Sequence, residues 1–166
     1  MAATTPQFKT FAEVEAWKQQ YAEDEMRYKF LVLSGETGLG KTEFAKSLVE
    51  NPESMLELNC ANTLYPPMRH FSPVLHELIL FDEISAQAII TNKKLFQAGP
   101  AWIHLGSSPT NNLIYSVMVH KVKMVVSTNS WEADLAAADE HDRRWLLGNS
   151  MVLKVLSPLW VERGDE

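Results

Sequence analysis

The chain has 166 residues, 46% of them hydrophobic, and 21 acidic against 15 basic side chains give a formal net charge of −6. That is enough for one substantial core and favours a single domain, while the acidic balance excludes a protein that coats nucleic acid through bulk charge. A lone cysteine, Cys60, excludes an internal disulfide, and with no secretory leader and no bilayer-length apolar run the expectation is a soluble, intracellular chain (cytoplasmic or nuclear) without a membrane partner.

Thr10-Phe-Ala-Glu13 has capping-box spacing, and Phe11, Val14, Trp17 and Tyr21 follow one face, which predicts a helix from about Thr10 to Met26. Tyr28–Ser34 (YKFLVLS) is a short apolar run stopped by glycine and reads as a buried parallel strand. Phe44, Ala45, Leu48 and Val49 give a helix over Thr42–Glu50, stopped by Asn51-Pro52. Met55–Asn59 is a second strand, and Cys60–Glu77, with three prolines, is mostly loop. Leu78–Phe81 is a buried strand ending at Asp82-Glu83, and Ser85 caps a helix that runs to Gly99-Pro100. Ala101–Leu105 and Leu113–Val119 alternate in polarity around Ser107–Asn112, the pattern of a hairpin with a polar tip. Val122–Thr128 is a core strand ending at Asn129, Trp131–Leu147 a helix, and Met151–Leu156 a last strand. The alternation predicts an α/β fold of three layers, with a mainly parallel five-stranded sheet and a β-hairpin insertion. Residues 1–27 form a short N-terminal helical segment and residues 28–166 the main domain.

The most informative stretch is Gly35-Glu36-Thr37-Gly38-Leu39-Gly40-Lys41-Thr42, a full match to the phosphate-binding P-loop pattern G-x-x-x-x-G-K-[ST]. Its glycines let the backbone turn and aim successive N–H groups at an anion. A helix opening near Lys41 adds its positive end, Lys41 neutralises terminal phosphates, and the Thr42 hydroxyl ligates Mg²⁺. The strand before Asp82-Glu83 delivers two carboxylates where α/β sheets bind ligands. Asp82 is expected to hold Mg²⁺ and Glu83 to polarise an attacking water. Asn129 ends a further strand, where its amide can hold that water; alone it would be an ordinary turn residue. Arg143 and Arg144 follow on a helix, and a guanidinium there can stabilise the transferring phosphoryl group from a neighbouring subunit. Otherwise they pair with Asp139, Glu140 and Asp142 on a solvated face.

The order of these segments resembles the superfamily 3 helicases of the AAA+ class, most closely the helicase domain of replication-associated (Rep) proteins of circular single-stranded DNA viruses and their integrated relatives. Gly35–Thr42 resembles motif A, Leu78–Glu83 motif B, Trp102–Val119 motif B′ with its hairpin, Lys123–Asn129 motif C, and Asp142–Arg144 the arginine-finger segment. The resemblance spans about Tyr28 to Trp160. It implies ATP and Mg²⁺ as cofactors, and hydrolysis at the subunit interfaces of a homo-oligomeric ring, commonly a hexamer. It also implies movement along single-stranded DNA, with RNA as the alternative.

Two departures stand out. The segment before the P-loop carries no histidine and is too short for the nicking domain of viral relatives, and Ser107–Asn112 offers no basic side chain to a strand. His104, Lys121 and Lys123 are the candidate nucleic-acid contacts, with Lys93 and Lys94 on the preceding helix. The five histidines have no metal-ligand spacing, and the tryptophans are expected in the core or at interfaces. The competing expectations are a nucleotide-dependent assembly switch that moves no nucleic acid and, more remotely, a small-molecule kinase.

Overall fold

The computed structural model describes residues 7–106 and 114–161. Its strands are β1 (Phe30–Gly35), β2 (Met55–Asn59), β3 (Leu78–Asp82), β4 (Ile103–Gly106), β5 (Ile114–Val117), β6 (Lys123–Thr128) and β7 (Ser150–Val155). Five of them form one parallel sheet in the order β2-β3-β6-β1-β7. The strand period of two sends Phe30, Val32, Ile79, Phe81, Met124 and Val126 to one face, and Leu31, Leu33, Leu78, Leu80 and Val125 to the other. Burial on both faces explains why these runs carry no polar alternation.

Helices α1 (Ala12–Gln19) and α2 (Lys41–Lys46) cover the second face through Val14, Trp17, Phe44 and Ala45. Four more cover the first face: α3 (Ala86–Thr91), α4 (Lys93–Gln97), α5 (Trp131–Ala137) and α6 (Glu140–Gly148). The result is the three-layer α/β arrangement. At about 1.5–3 kcal/mol per fully buried large apolar side chain, these two interfaces supply most of the drive to fold. Because α1 shares its cluster with β1 and β3, the N-terminal helix belongs to the same packing unit as the sheet.

The helices are shorter than the apolar pattern predicts, and in each case a local hydrogen bond explains it. Thr10 does not cap α1, which starts after Phe11 with no side-chain cap. A short 3₁₀ turn, Gln20–Ala22, ends that helix well before Met26. There the chain wraps the Tyr28 hydroxyl, which donates to the Glu23 carbonyl and accepts from the Glu25 N–H, both at 2.9 Å. Beyond α2, the Ser47 hydroxyl donates to the Phe44 carbonyl at 2.6 Å and competes with the helical ladder short of Glu50. Ser85 does cap α3, accepting from the Ala88 N–H at 3.1 Å. The helix then breaks at Asn92, whose buried amide donates to the carbonyls of Ala88 and Leu64. The single helix expected over Trp131–Leu147 is two, because Asp139 accepts from the Asp142 N–H at 2.8 Å and starts a new one.

Strands β4 and β5 pair as an antiparallel hairpin, with His104 Nδ1 and Ser116 Oγ 2.7 Å apart across it. The expected polar tip, 107–112, lies outside the described residues. The Tyr115 hydroxyl accepts from the Met68 N–H at 3.0 Å, which anchors the hairpin to the proline-rich loop. Among the described residues no helix is long and apolar enough to cross a membrane.

Candidate functional site

The C-terminal ends of β1, β3 and β6 are neighbours in the sheet, so the segments that follow them converge. Between them lies a cleft of ≈250 Å³ walled by Thr37, Gly38, Gly40, Lys41, Thr42 and Glu43 on one side. Asp82, Glu83, Ser127, Thr128 and Asn129 form the other side. A second, wider cavity of ≈590 Å³ shares Glu83, Thr128 and Asn129, and continues past Asn62, Thr63, Ser85 and Ser130.

The glycine-rich loop has its shape for two separate reasons. A Cβ on Gly35 would overlap the Val155 carbonyl, so glycine is needed there for β1 to lie against β7. Gly40, which precedes α2, has φ 87°, a left-handed conformation that a side chain disfavours. Gly38, at φ 88°, has no atom within 4 Å of where its Cβ would stand, leaving the loop open toward solvent. Lys41 donates to the Gly35 carbonyl and, at 3.4 Å, to the Thr128 carbonyl. Two carbonyls leave one ammonium donor for an anion. Burial pushes the Lys41 ammonium below its ordinary value, against the opposing charges of Asp82 and Glu83.

Glu83 has φ 59°, a conformation uncommon for this residue type. Its N–H nevertheless donates to the Ser127 carbonyl at 2.7 Å, extending the β3–β6 ladder by one rung. The exposed carboxylate thus stands at the cleft on a backbone tied to the end of β6. Asn129 is exposed one residue beyond β6. The Thr128 hydroxyl accepts from the Ser130 N–H at 3.1 Å, which fixes the turn around Asn129.

The Thr42 hydroxyl and Asp82 carboxylate are hard oxygen donors on facing walls, the set Mg²⁺ uses when water and phosphate complete its shell. Among the described residues no three His, Cys, Asp or Glu side chains cluster to hold a metal on their own. The residues therefore fit a metal that arrives with an anion. They do not form a closed metal cage.

The arginines part company. Arg143 is committed locally: its guanidinium donates to the carbonyls of Leu135, Ala136 and Ala138 and closes the C-terminal end of α5. Arg144 points outward, its side chain 78% exposed and paired with Glu140 at 2.7 Å. Neither lines the cleft of its own chain.

The three candidate nucleic-acid contacts also separate. Lys121 pairs with Asp24 at 2.9 Å, and Lys123 lies over the Tyr21 ring at 5.3 Å, near the N-terminal end of β6 and so at the opposite edge of the sheet from the cleft. His104 instead borders a ≈420 Å³ groove with Lys93, Lys94 and Trp102. Trp102 is 62% exposed, whereas Trp17 and Trp131 are buried in the core.

Sequence reasoning missed Ser127 and Thr128, although both directly precede Asn129. It also missed Phe8 and Trp160, which pack beside Gly40 from opposite ends of the chain; no local pattern connects those positions. No family model matches this chain, and no curated protein matches its sequence.

Proposed function

We propose that this chain is a Mg²⁺-dependent ATPase of the superfamily 3 helicase type, working as a homo-oligomeric ring on single-stranded DNA. The observation that carries the reading is the convergence of Lys41, Thr42, Asp82, Glu83 and Asn129, from three separate segments, on one cleft. In this reading Gly35–Thr42 is a P-loop: its backbone N–H groups and the Lys41 ammonium hold the phosphates. Thr42 and Asp82 would hold Mg²⁺, which would screen the charge of the phosphates, while ATP would supply the phosphoryl group. Glu83 takes a proton from water, and Asn129 orients that water by hydrogen bonding. Arg144, being outward and paired only with the exposed Glu140 among the described residues, is the finger candidate for a neighbouring subunit's site, while Arg143 is assigned to structure.

The nucleic-acid half draws support from the groove where exposed Trp102 offers a stacking face beside Lys93, Lys94 and His104. One observation favours the rival reading of an assembly switch without translocation. Asp24 and Tyr21 engage Lys121 and Lys123, so two of the three expected strand contacts already have partners within the chain.

The test is calorimetry with Mg²⁺-ATP, together with phosphate release measured with and without single-stranded DNA and a mass in solution. The motor reading expects binding, a rate stimulated by DNA, and ring-sized particles with nucleotide. ATP-dependent assembly without any DNA response favours the switch, and no nucleotide binding at millimolar concentration removes both.

A further inference from the structure

The peptide between Leu39 and Gly40 is held from outside the loop. Residues near both ends of the chain pair antiparallel at Phe8 and Trp160. The Lys9 N–H donates to the Leu159 carbonyl at 2.9 Å, and the Val161 N–H to the Gln7 carbonyl at 2.7 Å. From this pair the Leu159 N–H reaches across and donates to the Leu39 carbonyl at 3.0 Å. Next to it, the Trp160 ring presses on Gly40, with a ring carbon 2.8 Å from where a Cβ would stand. The Phe8 ring edge lies 4.0 Å from the same point, and that ring packs edge-on against Phe44 of α2, ring centres 5.7 Å apart.

Among the described residues no peptide bond is cis, and in a trans peptide the N–H points opposite the C=O. Holding the Leu39 carbonyl toward Leu159 therefore turns the Gly40 N–H away from Leu159, and of these two residues it is Gly40 that lines the cleft. Left alone, this peptide would be free to flip, because flipping swings the φ of Gly40, and glycine tolerates either sign. A flipped peptide would present a carbonyl to the phosphates in place of a donor.

We infer that the paired terminal segments are a positioning device for the phosphate-binding loop, in which the Leu159 amide and the Trp160 ring keep the Gly40 N–H aimed at the anion. The inference rests on the nucleotide reading above and adds to it the residues that set the loop's orientation. Because the Gly40 donor faces the phosphates before and during the reaction alike, its loss raises KM and leaves kcat near its starting value.

The cleanest probe replaces Leu159 by its α-hydroxy acid, so that a backbone ester removes this one N–H and keeps the buried side chain. Calorimetry should show Mg²⁺-ATP affinity about tenfold weaker, the scale of one hydrogen bond to a charged group, with the melting temperature close to that of the parent. Trp160→Ala should weaken affinity in the same direction, and Trp160→Phe should restore most of it. Parent protein that binds Mg²⁺-ATP while the ester and Trp160→Ala forms bind equally well would overturn the positioning role alone. Parent protein that gives no heat would sink the nucleotide reading as well.

Discussion

The two ends of the sheet use the same kinds of side chain for opposite purposes. At the C-terminal ends of the strands, Lys41, Asp82, Glu83 and Asn129 surround an open cleft, and among the described residues the Lys41 ammonium is bonded only to carbonyls. At the N-terminal ends, lysines and aromatic residues satisfy one another. Lys121 pairs with Asp24, Lys123 covers the Tyr21 ring, and the Trp17 indole donates to the Lys29 carbonyl at 2.9 Å. Of Lys41, Lys121 and Lys123, Lys41 is the one that faces a gap, because there the parallel strands leave backbone and carboxylates around an opening. Charge by itself does not distinguish Lys41 from Lys123; the sheet edge on which each sits does.

The largest effect expected from this contrast separates those two lysines. Lys41→Ala should weaken Mg²⁺-ATP binding by at least about 100-fold in calorimetry, since a charge-assisted phosphate contact is lost, whereas Lys123→Ala should leave it unchanged. Equal effects from both would erase the distinction between the two edges.

Next comes Glu83→Gln, which should keep nucleotide binding but slow phosphate release by roughly 10²–10⁴-fold, as removal of a general base does. It carries a pH signature too. The Glu83 charge helps hold the Lys41 ammonium up against the burial that pushes it down. Without that charge Lys41 loses its proton at lower pH, so the alkaline fall in ATP affinity should begin earlier in the variant. An unchanged alkaline limb would break the proposed coupling.

Gly35→Ala tests the cleft end for shape in place of charge. The new Cβ would overlap the Val155 carbonyl, and denaturant titration should show a loss of about 1–3 kcal/mol, the usual cost of overpacking. Cys60 lies one residue past β2, near the cleft, yet burial pushes its thiol up to about 12 from 9.0. Between those values the unfolded chain gives up the proton while the folded chain keeps it. Stability should therefore fall with rising pH across that window, by up to about 1.4 kcal/mol per pH unit. Cys60→Ala should remove the thiol's share of this slope, leaving above about pH 10 the share of the Tyr21 hydroxyl, which burial also pushes up.

The smallest effect belongs to the opposite edge. The Tyr21 hydroxyl is buried and meets no hydrogen-bond partner among the described residues, so Tyr21→Phe should raise stability by about 1 kcal/mol without touching nucleotide binding. A destabilised variant would mean that the hydroxyl is satisfied in solution.

Much of this fold was legible because its strands are buried on both faces: an unbroken run such as Leu78–Phe81 has few other ways to be stable. The cleft residues were legible because polar types stand directly after apolar runs at strand ends, and Gly35–Thr42 puts much of one cleft wall into a single stretch. Helix ends were not, since Ser47, Asn92 and Asp139 interrupt apolar periodicity through hydrogen bonds whose acceptors and donors the pattern does not encode. The arginine pair shows the same limit. Two adjacent, identical side chains differ because the end of α5 falls within reach of only one.

By itself the sequence determined the α/β class, the strands, and which residue types stand at the strand ends, because local patterning and chemical identity are properties of short stretches. Only the tertiary structure decided which lysines face a cleft, which arginine is outward, and that Leu159 and Trp160 hold the loop at Gly40 from the far end of the chain. Those outcomes depend on strand order and on contacts between segments more than a hundred residues apart. No short stretch of sequence contains both partners.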